Sequence, residues 1–266
     1  MKKAILSTAL VAALCVFAIP AQAQFGKNLK KIGKSVTDAA ASTVGDMAAD
    51  MAANKVSLKV VEWMDNNNTI AAEDTDYYKR LAGLVSAKYV NVDGTELNYK
   101  VYVNPEANIL ATSDGSIRIY SGMMDMLNDD ELLAAISTQI GHIVNKDTRD
   151  ALLKVASEDN ATKATGAQLE KLLSFSGEKM GTIVNELIQV PYSEKQNEAA
   201  DTFAFDLLKK NGTSTDGLYS ALEKFAAMEE NDQKAEEDEN VEISAASKYI
   251  MVNSNNARRA SLVSSK

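Results

Sequence analysis

The hydrophobic period of this chain changes once and then changes back, and that double switch constrains the fold more than any other feature. Over Asp74–Lys88 apolar residues recur at helical spacing, with Tyr78, Leu81, Leu84 and Val85 on one face. Over 97–103 the period drops to two: Leu97, Tyr99, Val101 and Val103 alternate with polar residues, as a half-buried strand requires. Ile109-Leu110-Ala111 and Ile117-Arg118-Ile119-Tyr120 flank Ser113-Asp114-Gly115-Ser116, a hairpin turn. A short helix over 121–127 follows, whose Met123, Met124 and Met126 read as core filler. The helical period then returns in strength. Asn128 caps a helix with Asp129, Asp130 and Glu131 in its first turn, where the macrodipole favours negative charge. Leu132, Leu133, Ile136, Ile140, Ile143 and Val144 give it a broad apolar stripe. Further helices are expected over 148–156, 167–189, 194–210 and 216–228, and from 254 onward. Helices on both sides of a few short strands predict an α+β domain, mostly helical with a small antiparallel sheet.

The N-terminus reads as an address. Lys2 and Lys3 precede an apolar run of 16 residues, Ala4–Ile19, and Ala21-Gln22-Ala23 is a cleavage signal. The run is short of the roughly 20 residues a membrane span needs. A lipid on Cys15 is the other reading, although Leu14 stands where a small residue should precede a lipidated cysteine. Cleavage after Ala23 is expected, with export to the periplasm or beyond and residues 24–266 forming one domain. Removing residues 1–23 takes two lysines and no acid, so the mature charge moves from −9 to −11, and the chain's one cysteine goes with them. That charge, with a pI near 4.8, speaks against nucleic-acid binding. Residues 24–62 are expected to be helical. Lys27, Lys30, Lys31 and Lys34 mark a solvated helix end, with at most weak contact to an anionic membrane surface. Residues 229–242 carry eight acids and one lysine and are expected to form a solvated loop rather than a cation site.

The chemistry available is narrow, because the chain has one histidine, His142. No G-x-S-x-G, G-x-G-x-x-G or Walker-type loop is present. A serine triad has only Ser137, His142 and Asp201 to draw on, and Ser137 and His142 stand five apart on one helix, not on one face. A carboxylate-based metal set around His142 would need Glu198 or Asp201 and would suit calcium or magnesium.

Four blocks resemble the HtpX-like zinc metallopeptidases (gluzincin type), whose exported bacterial members include BepA-type envelope proteases. Asn108–Gly122 resembles the family's N-A-F-A-x-P-G-G-x-I-x-V-x-x-G hairpin, and Asn128–His142 its N-x-D-E-L-A-A-V-L-A-H-E-I-G-H helix. Ser193–Asp201 resembles S-R-x-x-E-x-E-A-D, and Asn253–Ala260 the closing H-P-x-x-x-x-R-x. Together they fall within residues 75–265 and imply a zincin-like fold with the hairpin beside the active-site helix. In that family two His at i and i+4 and a later Glu hold zinc, and a Glu beside the first His is the general base. Here the motif reads Thr138-Gln139-Ile140-Gly141-His142, so Thr138 stands for the first His and Gln139 for the base. His142 is kept, Asn197 replaces the Glu ligand, Asp201 is kept, and Asn253 replaces the closing His.

The resemblance, with those departures, implies a pseudopeptidase: no catalytic residues, no metal and no cofactor, with the ligand an extended peptide or protein partner in the cell envelope. In metallopeptidases an edge strand pairs with substrate through its backbone, and Ile117, Arg118, Ile119 and Tyr120 are expected to do so here. The rival reading is an active zinc metalloendopeptidase of envelope quality control, with zinc as cofactor. A third is a structural envelope protein whose acidic loop and helices serve assembly.

Overall fold

The structure, a computed structural model, describes residues 25–157, 166–237, 244 and 246–266, with side chains from Gly45 onward and excepting those of 236 and 237. The expected leader and cleavage site lie outside the described residues. The chain divides into Met1–Val44 and a compact unit, Gly45–Lys266. Helix α1 (Phe25–Asn67) supplies all that is described of the first unit. The side chains of Lys27, Lys30, Lys31 and Lys34 are among those not described. No helix among the described residues is long and apolar enough to cross a membrane.

Helix α2 (Asp76–Leu84) begins where the Thr75 side chain accepts from the Tyr78 N–H. A two-stranded hairpin, β1 (Asn91–Val92) with β2 (Thr95–Glu96), turns at Asp93-Gly94; strands of two residues are too short to carry a periodic signal. The main sheet holds β3 (Asn98–Tyr102), β4 (Ile109–Ala111) and β5 (Ser116–Tyr120), in the order β3-β5-β4. The expected hairpin is present as the antiparallel pair β4–β5, with Ile109 opposite Ile119 and Ala111 opposite Ile117. Its turn needs Gly115, which sits at φ +92°, where a Cβ would lie 2.1 Å from the Glu96 carbonyl oxygen. The sheet is mixed rather than antiparallel throughout, because β3 runs parallel to β5.

That topology corrects the expected peptide edge. Ile117, Arg118, Ile119 and Tyr120 lie in the central strand, buried and paired on both sides. The outer side of β3 is itself partly covered, since the Ala71 N–H donates to the Val101 carbonyl and the Val103 N–H to that of Thr69. Among the described residues, β4 is strand-paired on one side only, by β5.

The helical half begins with α3 (Ser121–Met126) and α4 (Asp129–Val144). Asn128 and Glu131 close a full capping box on α4, so the sequence-read start is where the helix starts. Then come α5 (Asp147–Ala156), α6 (Gly166–Leu172) and α7 (Glu178–Leu187). The single helix expected over 167–189 is thus two, and Lys59 of α1 donates to the Leu173 carbonyl at the break. Ser193 and Gln196 box the start of α8 (Glu194–Asn211).

Helix α9 (Asp216–Glu237) runs through most of the stretch expected to be an acidic loop; residues 238–243 lie outside the described residues. Its acids find partners instead of only water. Glu229 accepts from the Asn255 and Asn256 N–H groups and from the Asn256 carboxamide. Asp232 accepts from Ser244, and Glu230 pairs with Lys234 one turn on. The chain ends with α10 (Ser247–Val252) and α11 (Asn256–Ser264).

The sheet divides two cores. Ile117 and Ile119 join α4, α8, α9 and α11 in one; Tyr102 and Tyr120 join α1, α5, α6 and α7 in the other. Arg118, only 3% exposed, is held by the Asp65 carboxylate of α1 at 2.8 and 3.1 Å, with Lys100 and Tyr102 also donating to Asp65. Burial works against ionising Asp65, but those donors outweigh it and hold the carboxyl at about 2. Arg118 is therefore a tie between the sheet and α1.

Candidate functional site

The two site-bearing helices, α4 and α8, approach most closely at Gly141. A Cβ there would lie 2.7 Å from the Ala200 carbonyl oxygen and 2.9 Å from its Cα, so only glycine fits. The contact brings Thr138 to Asp201, where the threonine hydroxyl donates at 3.2 Å. Arg259 of α11 forks onto the same carboxylate at 2.7 and 2.8 Å. The guanidinium also donates to the Asn253 carbonyl and the Asn256 side-chain oxygen, each at 2.8 Å. Asp201 and Arg259 are both buried, and the bidentate geometry is what makes such burial tolerable. Desolvation disfavours the Arg259 charge, but Asp201 more than offsets it and raises the guanidinium further above its ordinary range.

His142 is fully buried. Its Nδ1 lies 2.9 Å from the Asp147 carboxylate, at the start of α5, and its ring stacks on Tyr192 with centroids 3.9 Å apart and planes 16° apart. A carboxylate only accepts, so in the neutral imidazole Nδ1 carries the proton and Nε2 presents a lone pair. That Nε2 has no partner among the described residues. Burial pushes the Tyr192 phenol well above its ordinary range, and the Tyr192 N–H donates to the Val252 carbonyl at 3.0 Å.

Among the described residues, Thr148 Oγ1, Asn253 Oδ1 and both ends of the Asn197 carboxamide share this lack of a partner, and Gln139 Nε2 has only a weaker interaction with the Tyr249 phenol. Gln139, Thr148, Asn253 and Tyr192 line one cavity of about 40 Å³ together with β4, Val60 and Met64 of α1, and the end of α7. Among the described residues no Asp or Glu lines it. The Tyr120 N–H donates to the Asn108 carbonyl, and the Thr112 N–H to that of Ser116. By alternation, Ile109 and Ala111 turn their N–H and C=O groups away from β5; Ile109 is buried and Ala111 half-buried, so Ala111 is the one of the two within reach of solvent.

The structure thus gathers Thr138, Gln139, His142, Asn197, Asp201 and Asn253 at the α4–α8 contact and around this cavity, and leaves Ile117–Tyr120 in the sheet centre. It assembles no serine triad: Ser137 donates back to the Leu133 carbonyl at 2.8 Å, and Asp201 is taken by Arg259. Glu198 pairs with Arg258 instead of joining His142. Sequence reading missed Asp147, Tyr192 and Arg259 as parts of the site. Arg259 alone carried a signal, because it stands at the Arg of the closing segment.

Tested against a tetrahedral zinc set of two imidazoles and a carboxylate, these residues do not fit. They offer one imidazole nitrogen and the neutral carboxamide of Asn197, with the Thr138 hydroxyl committed to Asp201. Among the described residues no group of three or more His, Cys, Asp or Glu gathers to hold a metal ion.

Comparison with known proteins bears on the same question. The model of peptidase family M48 matches residues 77–259. Metalloprotease LoiP of Escherichia coli K12 is 33% identical over 202 residues, covering 76% of this chain and 75% of the relative. Metalloprotease YcaL of the same organism is 34% identical over 195 residues, covering 71% of this chain and 73% of the relative. These matches overturn the expectation of a protein with no cofactor, because M48 metalloproteases are zinc-dependent and both relatives are named as metalloproteases. With the hairpin, the capped α4 helix, the retained His142 and Asp201, and a match over most of the chain, this protein belongs to peptidase family M48.

Proposed function

We propose that this M48-family protein holds an extended peptide against the edge of β4 away from β5 and does not hydrolyse it. The observation that carries the reading is Gln139. It stands where the resemblance puts a catalytic carboxylate, it is 2% exposed, and among the described residues no Asp or Glu lines the cavity it faces. A carboxamide does not take a proton from an attacking water, and the loss of a general base costs about 10²–10⁴ in rate. The nearby carboxylates are engaged, Asp147 by His142 and Asp201 by Arg259. The reading concerns the base and not metal occupancy. Binding is supported by the N–H and C=O groups of the half-buried Ala111, which alternation turns away from β5 and which are what a peptide needs to add as a strand. Export supports a role in the cell envelope and rests on the sequence of residues 1–23.

A second reading, a zinc-dependent metalloendopeptidase of envelope quality control, is favoured by two relatives named as metalloproteases and by the free lone pair on His142 Nε2. One experiment separates the two: incubation of the mature protein with casein and with unstructured peptides, with and without a chelator, beside a His142→Ala variant, and with metal content measured in parallel. The expected result is intact substrate whatever the metal content. Cleavage that disappears in His142→Ala and in chelator establishes the second reading and overturns the first.

A further inference from the structure

Resting on the peptide-holding reading above, we infer that the cavity beside β4 is a specificity pocket for an uncharged carboxamide side chain, that of glutamine or asparagine, on the bound peptide. Three side chains on its wall, Gln139, Thr148 and Asn253, are 2–4% exposed; among the described residues Thr148 Oγ1 and Asn253 Oδ1 have no partner, and Gln139 Nε2 has none at full hydrogen-bond distance beyond its weaker interaction with the Tyr249 phenol. Their chemistry is mixed. Gln139 Nε2 only donates, Asn253 Oδ1 only accepts, and the Thr148 hydroxyl does either. A carboxamide presents the complement, a carbonyl oxygen for Gln139 and an NH₂ group for Asn253. A methionine or leucine side chain in the same place leaves those atoms buried and unpaired, which is the arrangement that discriminates most strongly between near-isosteres. A glutamate or lysine is disfavoured for another reason: among the described residues no charged one lines the cavity, so an entering charge is desolvated without a counter-charge. The size agrees. About 40 Å³ has room for roughly three water-sized groups, the number of heavy atoms in a carboxamide. Val60, Met64 and Leu187 supply the apolar flank for the methylene stem.

The test uses labelled pentapeptides Thr-Val-X-Val-Thr, with X as Gln, Asn, Met, Leu, Glu or Lys, titrated with the whole mature protein by fluorescence anisotropy. The Gln or Asn peptide is expected to bind at least about tenfold more tightly than the Met and Leu peptides, and more tightly still than the charged ones. In a Gln139→Met variant whose circular dichroism matches wild type, the advantage of Gln over Met should shrink to within about twofold. Equal affinity across the series for wild-type protein means that water satisfies these atoms; it overturns this inference and leaves the peptide-holding reading in place. Absence of binding by every peptide overturns both. The wild-type series decides the matter even if the variant does not fold.

Discussion

Gln139 shows how much one atom changes. An amide nitrogen in place of a carboxylate oxygen leaves the helix and its packing as they are and removes the acceptor that a hydrolytic water needs. Gly141, two residues on, acts on packing alone. Gly141→Ala is expected to destabilise the fold by about 1–3 kcal/mol, read by chemical denaturation, because a methyl must push Ala200 away. An unchanged midpoint would mean that α4 and α8 separate freely. Asp65 is the third residue with a measurable consequence. Its carboxyl is held at about 2 in the folded protein against an ordinary 3.8, so the ionised form favours folding. That contribution, about 2 kcal/mol, is full above roughly pH 5 and is lost as pH falls through 4 towards 2. Asp65→Asn should therefore lower the melting temperature at pH 7, and the gap to wild type should narrow steadily between pH 5 and pH 2. A gap independent of pH removes the carboxylate from the explanation.

Strand β4 is the element on which the functional reading turns. It has three residues, ordered by pairing with β5 and by packing of Ile109 into the core beneath α4. Ala111→Pro removes an N–H that faces outward, so peptide binding should fall by at least about tenfold while the fold survives. Anisotropy with a labelled peptide and circular dichroism on one sample check both halves. Binding undiminished in the folded variant excludes strand addition at β4. The same substitution at Arg118 or Ile119 is a different experiment, since both lie in the central strand, and it should unfold the protein. Helix α9 shows the converse case. Glu229 and Asp232 look like loop residues by composition, yet one caps α11 and the other receives Ser244.

Over the whole molecule, the two packed cores hold a metallopeptidase scaffold in which His142, Asp147, Asp201 and Arg259 remain positioned. If those supports keep α4 and α8 at ligand distance, then Thr138→His, Gln139→Glu and Asn197→Glu together should restore a set of two imidazoles and a carboxylate. The triple variant is expected to bind one zinc per chain after dialysis, and zinc at 100 times its Kd should stabilise it by about 2.7 kcal/mol. Elemental analysis and thermal melts with and without chelator provide the check. A folded triple variant without bound zinc would show that the helices stand too far apart for the ligands.

The sequence by itself determined the helices with caps and long apolar stripes, the β4–β5 hairpin and the family. Those signals are local: Asn128 and Glu131 satisfy each other within one turn, Asp114-Gly115 sets its own turn, and the motif blocks are contiguous. It also located the altered positions Thr138, Gln139, Asn197 and Asn253, because motif spacing fixes them without any folding. What only tertiary structure decided was non-local pairing. Whether a strand is central or at an edge depends on partners far off in the chain, so β3 pairing with β5 buried the stretch expected to bind peptide and left β4, among the described residues, strand-paired on one side only. The same holds for Asp147 under His142, Arg259 on Asp201 and Tyr192 on the imidazole. Asp147 and Tyr192 are ordinary in their own sequence windows, and even Arg259, marked by the closing segment, gains its partner only when packing removes water and leaves one carboxylate within reach.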